Sequence, residues 1–262
     1  MTGAAFSLVK VGGSCIAKGV ERVAAKVAAI GGKVVVIHGY SIRAREILAG
    51  VGVARREFVS SSGVHSHFTG DAELGAALLA ASVEGVRLRD ASAANGRAAT
   101  AVLGHRGLLG GERKRALRYY VGKDLRVHRD DLSGKIAAVD LARVAERLAT
   151  SDVLVVGALL SDPAAGPRVC EADAVASSFA RAAELASYDI YSDVDGFVVD
   201  GAVLPEVSLA RLEQLRAAAT GGMSKKLRYI AEALEGGVRR VHLTNGLADG
   251  GASEKGTAFT CD

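Results

Sequence analysis

The chain has 262 residues, of which 49% are apolar, and it carries a formal net charge of +4. This length predicts one large α/β domain or two lobes, and the apolar content is ample for a core. No run approaches the roughly 18 consecutive apolar residues of a transmembrane helix, and the N-terminus lacks the pattern of a signal peptide. The three dispersed cysteines have no metal-binding spacing, which predicts a cytoplasmic protein without a metal site.

Strands and helices alternate along most of the chain. SLVKVGG predicts a strand that enters a Gly-Gly turn, GVERVAAKVAAIGG has the 3.6-residue period of a helix, and KVVVIHG predicts a second buried strand. These three elements form a βαβ unit, whose crossover we expect to be right-handed. The same alternation continues through GDAELGAALLAASVEG, DVLVVGALL, DAVASSFARAAELA, MSKKLRYIAEALEGG and VRRVHLTNG. The pattern predicts a mostly parallel sheet between layers of helices.

One segment interrupts this alternation. ALRYYVGKDLRVHRDDLSGKI alternates apolar and charged residues on both sides of GKD. That pattern is typical of an antiparallel hairpin with one solvated face. The sequence has no internal repeat and no linker rich in proline or serine, so we expect two lobes of one body.

Glycines follow two of the predicted strands. Lys10 precedes Gly12 and Gly13, and Gly39 ends the second strand. Glycines let backbone N–H groups approach phosphate oxygens, and a lysine adds positive charge. The sequence is not a Walker A loop, and a purely structural turn explains it about equally well. The bulky Tyr40 stands where a close approach to a ligand would favour another glycine.

Three further stretches are candidates for anion binding. Gly221 and Gly222 precede a helix that is predicted to start near Met223, and the N-terminus of a helix attracts anions. YSDVDGF, from Tyr191 to Phe197, is a possible nucleotide loop or an ordinary turn. Asp173 begins a helix, where an aspartate is most often a cap.

In this order, the motifs resemble those of the amino acid kinase family. The matching stretches are VKVGGS, VVIHG, EADAVASSFA, SDVDGF, TGGMSKKLRYIAEAL and EKGT, and they extend from Leu8 to Thr257. Within the family, RREFVSSSGVHSHFTGDAEL and KRALRYYVGKDLRVHRDDLSGKI are similar to kinases of lysine and arginine biosynthesis that act on a carrier protein. The resemblance implies an α/β fold, a three-layer αβα sandwich with a mostly parallel central sheet and two lobes.

The resemblance also implies an activity. It is the ATP-dependent phosphorylation of the side-chain carboxylate of an aminoadipate or glutamate whose amino group an acidic carrier protein blocks. Catalysis of such a transfer is mostly positioning and neutralisation of charge. By the resemblance, Lys10 and Lys226 flank the phosphoryl group, Asp173 holds both ammonium groups, and Mg²⁺ bridges the nucleotide phosphates. Lys225 is expected to point elsewhere, because one helical residue turns the side chain by about 100°.

The nucleotide site that the resemblance implies combines glycine turns with the loop after Tyr191. Backbone N–H groups of Gly12, Gly13 and Gly39 are expected to donate to phosphate oxygens. The other expected nucleotide contacts are Ser192, Asp193, Val194, Gly196, Gly221, Gly222 and Met223.

The chain departs from the family pattern on the acceptor side. The expected acceptor contacts are Gly39, Tyr40, His67 and Val169, and three of them are unusual. Tyr40 replaces a glycine, His67 replaces an arginine that would clamp a carboxylate, and Val169 replaces an asparagine. Gly70 replaces the aspartate that ends the same run as His67. If His67 holds the acceptor when protonated, binding should weaken as the pH rises through about 6 to 7.

Three functions remain open at this level: a kinase of a carrier-linked acid, a kinase of a free small acid such as N-acetylglutamate, and a non-catalytic nucleotide-binding homologue. Basic residues in and around the hairpin favour an acidic carrier as partner, and a solvated charged face is an equal alternative. These residues are Lys114, Arg115, Arg118, Lys123, Arg126 and Arg129.

The resemblance further implies a division of labour between the lobes. Residues 1–175 are expected to bind the small-molecule acceptor and to dimerise, and residues 176–262 are expected to bind ATP. The expected assembly is a homodimer, and neither a nucleic acid nor a membrane is expected as a partner.

Overall fold

The computed structural model describes residues 6–60, 65–114, 116–216, 221–248 and 256–262. The helices are α1 (Gly13–Ala28), α2 (Ser41–Gly50), α3 (Asp71–Ala94), α4 (Leu141–Thr150), α5 (Ala172–Ala182), α6 (Leu209–Arg216) and α7 (Gly221–Glu235). The strands are β1 (Phe6–Val11), β2 (Lys33–His38), β3 (Glu57–Ser60), β4 (His65–His67), β5 (Ala99–Leu103), β6 (Leu109–Arg113), β7 (Leu117–Val121), β8 (Asp124–His128), β9 (Gly134–Val139), β10 (Val153–Gly157), β11 (Leu159–Asp162), β12 (Gly166–Val169), β13 (Ser187–Ser192), β14 (Val198–Val199), β15 (Ala202–Val203), β16 (Glu206–Ser208), β17 (Arg240–Asn245) and β18 (Gly256–Thr260).

The centre of the fold is an eight-stranded sheet in the order β16-β18-β17-β13-β1-β2-β10-β5. Strand β18 pairs antiparallel with β17, and the other neighbouring strands of this sheet pair in parallel. The prediction of a mostly parallel α/β sheet is therefore confirmed. Because β1 lies between β2 and β13, the carboxyl ends of these three strands meet at one edge of the sheet.

Both faces of the central sheet are buried. Leu8 and Val35 belong to a core cluster that includes side chains of α5 and α7. Val9 and Val34, one position away in each strand, belong to a second cluster with side chains of α1. Alternate residues of a strand point to opposite faces, so helices on both sides convert these valine-rich runs into two cores.

The predicted hairpin is present as β7 and β8, within a separate four-stranded sheet of order β4-β3-β7-β8. One face of this sheet is anchored by Tyr119, whose ring lies 5.7 Å from that of Phe58 and 5.0 Å from that of Phe68. The alternation of apolar and charged residues predicted that the opposite face would be solvated. This face also exposes Tyr120, Leu125 and Val127.

Two boundaries differ from the sequence predictions. Helix α7 begins at Gly221 rather than near Met223, so the two glycines form its first turn. In the EKGT motif, Glu254 and Lys255 lie outside the described residues, as does Arg115 of the basic segment. None of the helices within the described ranges is long and apolar enough to cross a membrane.

Candidate active site

Lys10, Asp173 and Lys226 form a buried ionic cluster between three elements. Strand β1 carries Lys10, the first turn of α5 carries Asp173, and α7 carries Lys226. The Lys10 Nζ lies 2.9 Å from Asp173 Oδ2, and the Lys226 Nζ lies 3.4 Å from Asp173 Oδ1. The structure therefore brings together the three residues that the sequence singled out for phosphoryl transfer, with one carboxylate between two ammonium groups.

Burial and mutual charge perturb the pKa values of this cluster. Burial, partly offset by Asp173 and reinforced by Lys226, lowers the pKa of Lys10 to about 8. Burial by itself would raise the pKa of Asp173, but the two neighbouring lysines outweigh it and hold that pKa at about 2. At neutral pH the cluster thus contains an ionised carboxylate and a lysine that is unusually close to losing its proton.

The glycine turns pack backbone against backbone at the ends of β1 and β2. A Cβ placed on Gly39 would lie 3.1 Å from the backbone nitrogen of Gly13, which explains why a glycine is needed there. The Gly12 N–H donates to the carbonyl of Tyr191, and the Gly39 N–H donates to that of Val11, each at 2.9 Å. These two N–H groups are therefore not free to donate to phosphate, contrary to the sequence expectation. Gly13 begins α1, where the first N–H groups have no partner inside the helix.

A cavity of about 700 Å³ opens beside the cluster. All four predicted acceptor contacts, Gly39, Tyr40, His67 and Val169, line it together with Lys10 and Asp173. Gly70 is the N-cap residue directly before α3, and its N–H donates to the Glu73 carboxylate at 3.0 Å. The predicted acceptor residues thus share one cavity, although they come from three separate segments of the chain.

Tyr40 is a buried wall of this cavity rather than an obstruction at a phosphate loop. Its hydroxyl donates to the carbonyl of Ala158 at 3.1 Å, and only 6% of the residue is exposed. Burial raises the pKa of this hydroxyl far above its ordinary value, so Tyr40 stays neutral. The ring fills the space that a glycine at this position would leave open beside Gly39, and it narrows the cavity there.

His67 does not match the expectation of a protonated carboxylate clamp. Burial lowers the pKa of His67 to about 4, and the positive charges of Arg55 and Lys225 add to the effect. The imidazole is therefore neutral at physiological pH and offers at most one N–H donor. A fall in acceptor binding between pH 6 and 7 is no longer expected from this residue.

The cavity is also lined by several charged residues that the sequence did not assign to the acceptor or nucleotide site. They come from α2, from the segments next to β3 and β6, and from the facing starts of α5 and α7: Arg45, Arg55, Lys114, Glu171 and Lys225. A signal for Arg45 existed, because Ser41, Ala44, Arg45 and Leu48 have the spacing of one helix face. The others lie in segments whose direction no short-range pattern fixes.

Lys225, the residue before Lys226, also lines the cavity and forms an ion pair of its own. Its Nζ lies 2.8 Å from the Glu171 carboxylate, directly before the helix that carries Asp173. Burial acts to raise the pKa of Glu171, but the charge of Lys225 and its hydrogen bond lower it overall. Two consecutive lysines of α7 therefore hold two different carboxylates at the start of α5, and Lys225 reaches the cavity, although the sequence indicated no role for it there.

The predicted nucleotide loop follows β13, next to β1. Ser192 is buried, Asp193 forms an ion pair with Lys18 at 2.6 Å, and Val194 is partly exposed. Gly196 has φ of +149°, and a Cβ there would lie 2.7 Å from the Val203 side chain and 2.8 Å from the Thr257 hydroxyl. This loop stands at the same sheet edge as the Lys10 cluster but outside the residues that line the cavity. Gly222 does line the cavity, and Met223 packs against the core.

A family model described as the amino acid kinase family matches residues 6–245. The chain belongs to the amino acid kinase family. Its enzyme class is accordingly a phosphotransferase with a carboxyl group as acceptor.

Two sequence relatives of this amino acid kinase are kinases by name. The chain is 25% identical over 243 residues to the [LysW]-aminoadipate/[LysW]-glutamate kinase of Metallosphaera sedula, covering 92% of this chain and 93% of the relative. It is 31% identical over 265 residues to the putative [LysW]-aminoadipate/[LysW]-glutamate kinase of Pyrobaculum calidifontis, covering 92% of each.

Solved structures show the same fold. N-acetylglutamate synthase from Neisseria gonorrhoeae, in complex with coenzyme A and L-arginine, matches with a TM-score of 0.80 at 19% identity. The match covers 99% of this chain but only 62% of the synthase chain. Carbamate kinase from Giardia lamblia bound to AMP-PNP matches over the full length of both chains, with a TM-score of 0.67 at 16% identity.

The residues of this amino acid kinase fit ATP better than they fit a resident metal. Lys10, Lys226 and the first turn of α1 present positive charge and helix N–H groups at one sheet edge, which is the donor set that phosphates require. Within the described ranges, no group of three or more histidine, cysteine or acidic residues could hold a metal ion. In kinases, Mg²⁺ is commonly held by the substrate phosphates together with one or two carboxylates, rather than by such a protein cluster.

Proposed function

We propose that this kinase transfers the γ-phosphoryl group of ATP to the side-chain carboxylate of an amino-blocked acidic amino acid, giving an acyl phosphate. One observation carries the proposal: the Lys10–Asp173–Lys226 cluster lies against a cavity whose size suits such an acid. In the reaction, a carboxylate oxygen forms a bond to the γ-phosphorus, the bond to the β-phosphate oxygen breaks, and ADP leaves.

Each residue of the cluster has a distinct part in this proposal. Lys10, which faces the cavity, neutralises charge between the acceptor carboxylate and the γ-phosphoryl group. Lys226, on α7, neutralises charge on the side of the departing ADP. Asp173 does not react and keeps the two ammonium groups a fixed distance apart, which prevents their mutual repulsion from separating the elements that carry them.

The same proposal assigns the acceptor to residues 1–175 and the nucleotide to residues 176–262, with Lys10 and Asp173 at the boundary. Its support is the sheet edge where β1 and β13 end side by side. In this assignment Gly12 and Gly13 shape the turn under the phosphates. Ser192, Asp193, Val194 and Gly196, together with Gly221, Gly222 and Met223, surround the rest of the nucleotide.

We further propose that an acidic carrier protein delivers the acceptor, docking on the hairpin of β7 and β8. Lys114 and Leu117, which lead into the hairpin, line the cavity, so a partner on the hairpin stands next to the cavity mouth. Arg118 shares one exposed face of the hairpin with the apolar side chains of Tyr120, Leu125 and Val127, while Lys123 in the turn and Arg126 on the other face add positive charge. This mixture suits a protein surface that carries both acidic and apolar groups.

The experiment that tests the activity compares acceptors with ATP. Acyl phosphates react with hydroxylamine to give hydroxamates, so product formation can be measured directly with N-acetylglutamate, N-acetylaminoadipate and the same acids linked to an acidic carrier. We expect hydroxamate with at least one amino-blocked acid, and at least ~10²-fold slower hydroxamate formation by Asp173→Asn. Product from the N-acetylated acids but not from the carrier-linked acids would show that the acceptor is a small molecule and would refute the carrier. ATP binding without any hydroxamate would favour the non-catalytic alternative.

Charge reversal tests the carrier surface. The double variant Lys123→Glu and Arg126→Glu should raise KM for the carrier-linked acid by about 10-fold at low salt and should leave KM for ATP unchanged, because surface charges act mainly on encounter. Reversal of the exposed pair Arg239 and Arg240, at the opposite strand end of the central sheet, is the matched control. An equal rise in KM for the carrier-linked acid in both double variants would show that the hairpin is an ordinary charged surface and not a docking site.

We also propose that the enzyme is a homodimer that pairs through α3. Leu79, Val83 and Val86 lie on one face of this helix at spacings of four and three residues, and each is more than one third exposed. Such a stripe is typical of a helix that packs against a partner. Light scattering should show a dimer that Leu79→Glu with Val83→Glu converts to monomers.

A further inference from the structure

Two arginines enter the cavity from elements that carry none of the Lys10, Asp173 and Lys226 cluster. Arg45 is on α2, and Arg55 is in the segment before β3. Burial lowers the pKa of Arg55 below its ordinary value, and the positive charge of Arg45 lowers it further. The two guanidinium groups are therefore close enough to repel each other in one partly enclosed space.

Neither arginine is neutralised by an ion pair with the described part of the chain. The contrast with the other face of α2 is clear, because Arg43 binds Glu84 and Glu46 at 2.8 and 2.7 Å. The carboxylates that act on Arg55 are those of Glu57 and Glu73, and each acts less strongly on its pKa than Arg45 does. The Glu73 carboxylate already accepts the N–H of Gly70. Glu57 and Glu73 also line the cavity, but among the described residues neither forms an ion pair with Arg45 or Arg55. Two like charges at a cavity wall without a directly paired carboxylate are an arrangement that an anionic ligand stabilises.

His67 stands next to Arg55 in this cavity and is neutral, so it adds no positive charge. The place where the sequence suggested a cationic clamp is therefore uncharged, while positive charge lies on two residues that the sequence did not indicate. Arginine also offers a planar, two-pronged donor that matches a carboxylate, which an imidazole does not.

We propose that Arg55, assisted by Arg45, binds a second carboxylate of the acceptor and so determines specificity for dicarboxylic acids. One carboxylate then lies at Lys10, where it is phosphorylated, and the other is held at the end of the cavity formed by α2 and the segment before β3. This inference rests on the proposed function for the identity of the reacting group, but it concerns a binding contact that can be measured without catalysis.

A matched pair of ligands tests the proposal on the full-length enzyme. N-acetyl-L-glutamate and 4-acetamidobutanoate differ only in the α-carboxylate, so their affinity ratio, measured by calorimetry, isolates the second carboxylate. We expect the wild-type enzyme to bind the dicarboxylate roughly 10- to 100-fold more tightly, which is the range for a hydrogen-bonded charged group. Arg55→Gln should bring this ratio close to one while leaving the affinity for 4-acetamidobutanoate unchanged. Arg45→Gln should reduce the ratio in part.

Arg56→Gln is the control, because Arg56 is adjacent and exposed but lies over the ring of Phe68. It should keep the wild-type ratio. Arg55→Lys keeps the charge without the two-pronged donor and should give an intermediate ratio, and it serves as the test if Arg55→Gln does not fold. A wild-type ratio near one, no measurable binding of the dicarboxylate, or a full ratio in Arg55→Gln would each overturn the assignment.

The hydroxamate measurement separates this inference from the proposed function. Discrimination that depends on Arg55 without phosphoryl transfer would retain the anion site and refute the kinase activity on these acids. Phosphoryl transfer together with an unchanged affinity ratio in Arg55→Gln would support the kinase activity and refute the role of Arg55.

Discussion

Replacement of Asp173 by asparagine is the sharpest test of the ionic cluster. The carboxylate contacts two buried ammonium groups at 2.9 and 3.4 Å, and these hold its pKa at about 2, against 3.8 for an ordinary aspartate. At about 1.4 kcal/mol for each pKa unit, the ionised form contributes roughly 2 to 3 kcal/mol to folding at neutral pH. Asparagine keeps the shape but loses this contribution, so Asp173→Asn should be less stable by roughly 2 to 3 kcal/mol at pH 7.

The pH dependence of this loss has a definite sign. Because the pKa in the folded state lies below that in the unfolded state, the contribution of Asp173 is complete above about pH 5 and disappears as the pH falls through about 2. The stability difference between wild type and Asp173→Asn should therefore shrink to about half near pH 3. Urea unfolding at pH 7 and pH 3 measures both values.

The Asp173→Asn variant should also lose turnover, beyond what its lower stability would cause. Without the carboxylate, Lys226 opposes the charge on Lys10 directly, and the already low pKa of Lys10 falls further. The kcat for hydroxamate formation should drop at least ~10²-fold. Asp90→Asn, which removes an exposed carboxylate paired with Arg89, should change neither property. A stability difference that is the same at both pH values, or near-normal turnover, would refute the account of the cluster.

Three further predictions concern lysines and their partners. Lys10→Ala and Lys226→Ala should each lower kcat at least ~10²-fold with much smaller effects on ATP affinity, and normal turnover in either would contradict the assigned roles. The kcat/KM for ATP should be constant between pH 6 and 7 and should fall above about pH 8, where Lys10 of the substrate-free enzyme loses its proton. Lys10→Arg should remove that fall. Lys225→Ala and Glu171→Gln should both raise KM for the acceptor several-fold with a smaller loss of kcat, measured by initial rates, and an effect on kcat alone would place this ion pair with Lys226 instead.

The sequence by itself determined the architecture and singled out Lys10, Asp173 and Lys226 as candidates for phosphoryl transfer. Runs such as KVVVIH can be buried only between helix layers, so the alternation of strands and helices predicts the parallel sheet. The spacing from Lys10 to Gly13 and the position of Asp173 in a first helical turn follow from local patterns. These elements were predictable because their information lies within about ten residues of chain.

The tertiary structure decided which charged groups share the cavity and which N–H groups are already paired. Lys10 and Asp173 are separated by 163 positions in the chain, and only the fold brings them to 2.9 Å. No local pattern shows that Gly12 and Gly39 use their N–H groups inside the protein, or that Lys225 reaches Glu171. The neutrality of His67 likewise depends on how deeply it is buried and on which cations share its cavity.

Arg55 illustrates the physical reason for this division. The sequence shows two adjacent arginines, Arg55 and Arg56, that are chemically identical, yet one faces the cavity and the other lies over the ring of Phe68. Their difference arises from the path of the chain between α2 and β3, which long-range packing fixes. Secondary structure follows from short-range patterns, whereas the charge and direction of a side chain at a site depend on desolvation and Coulomb interactions with groups from distant parts of the chain.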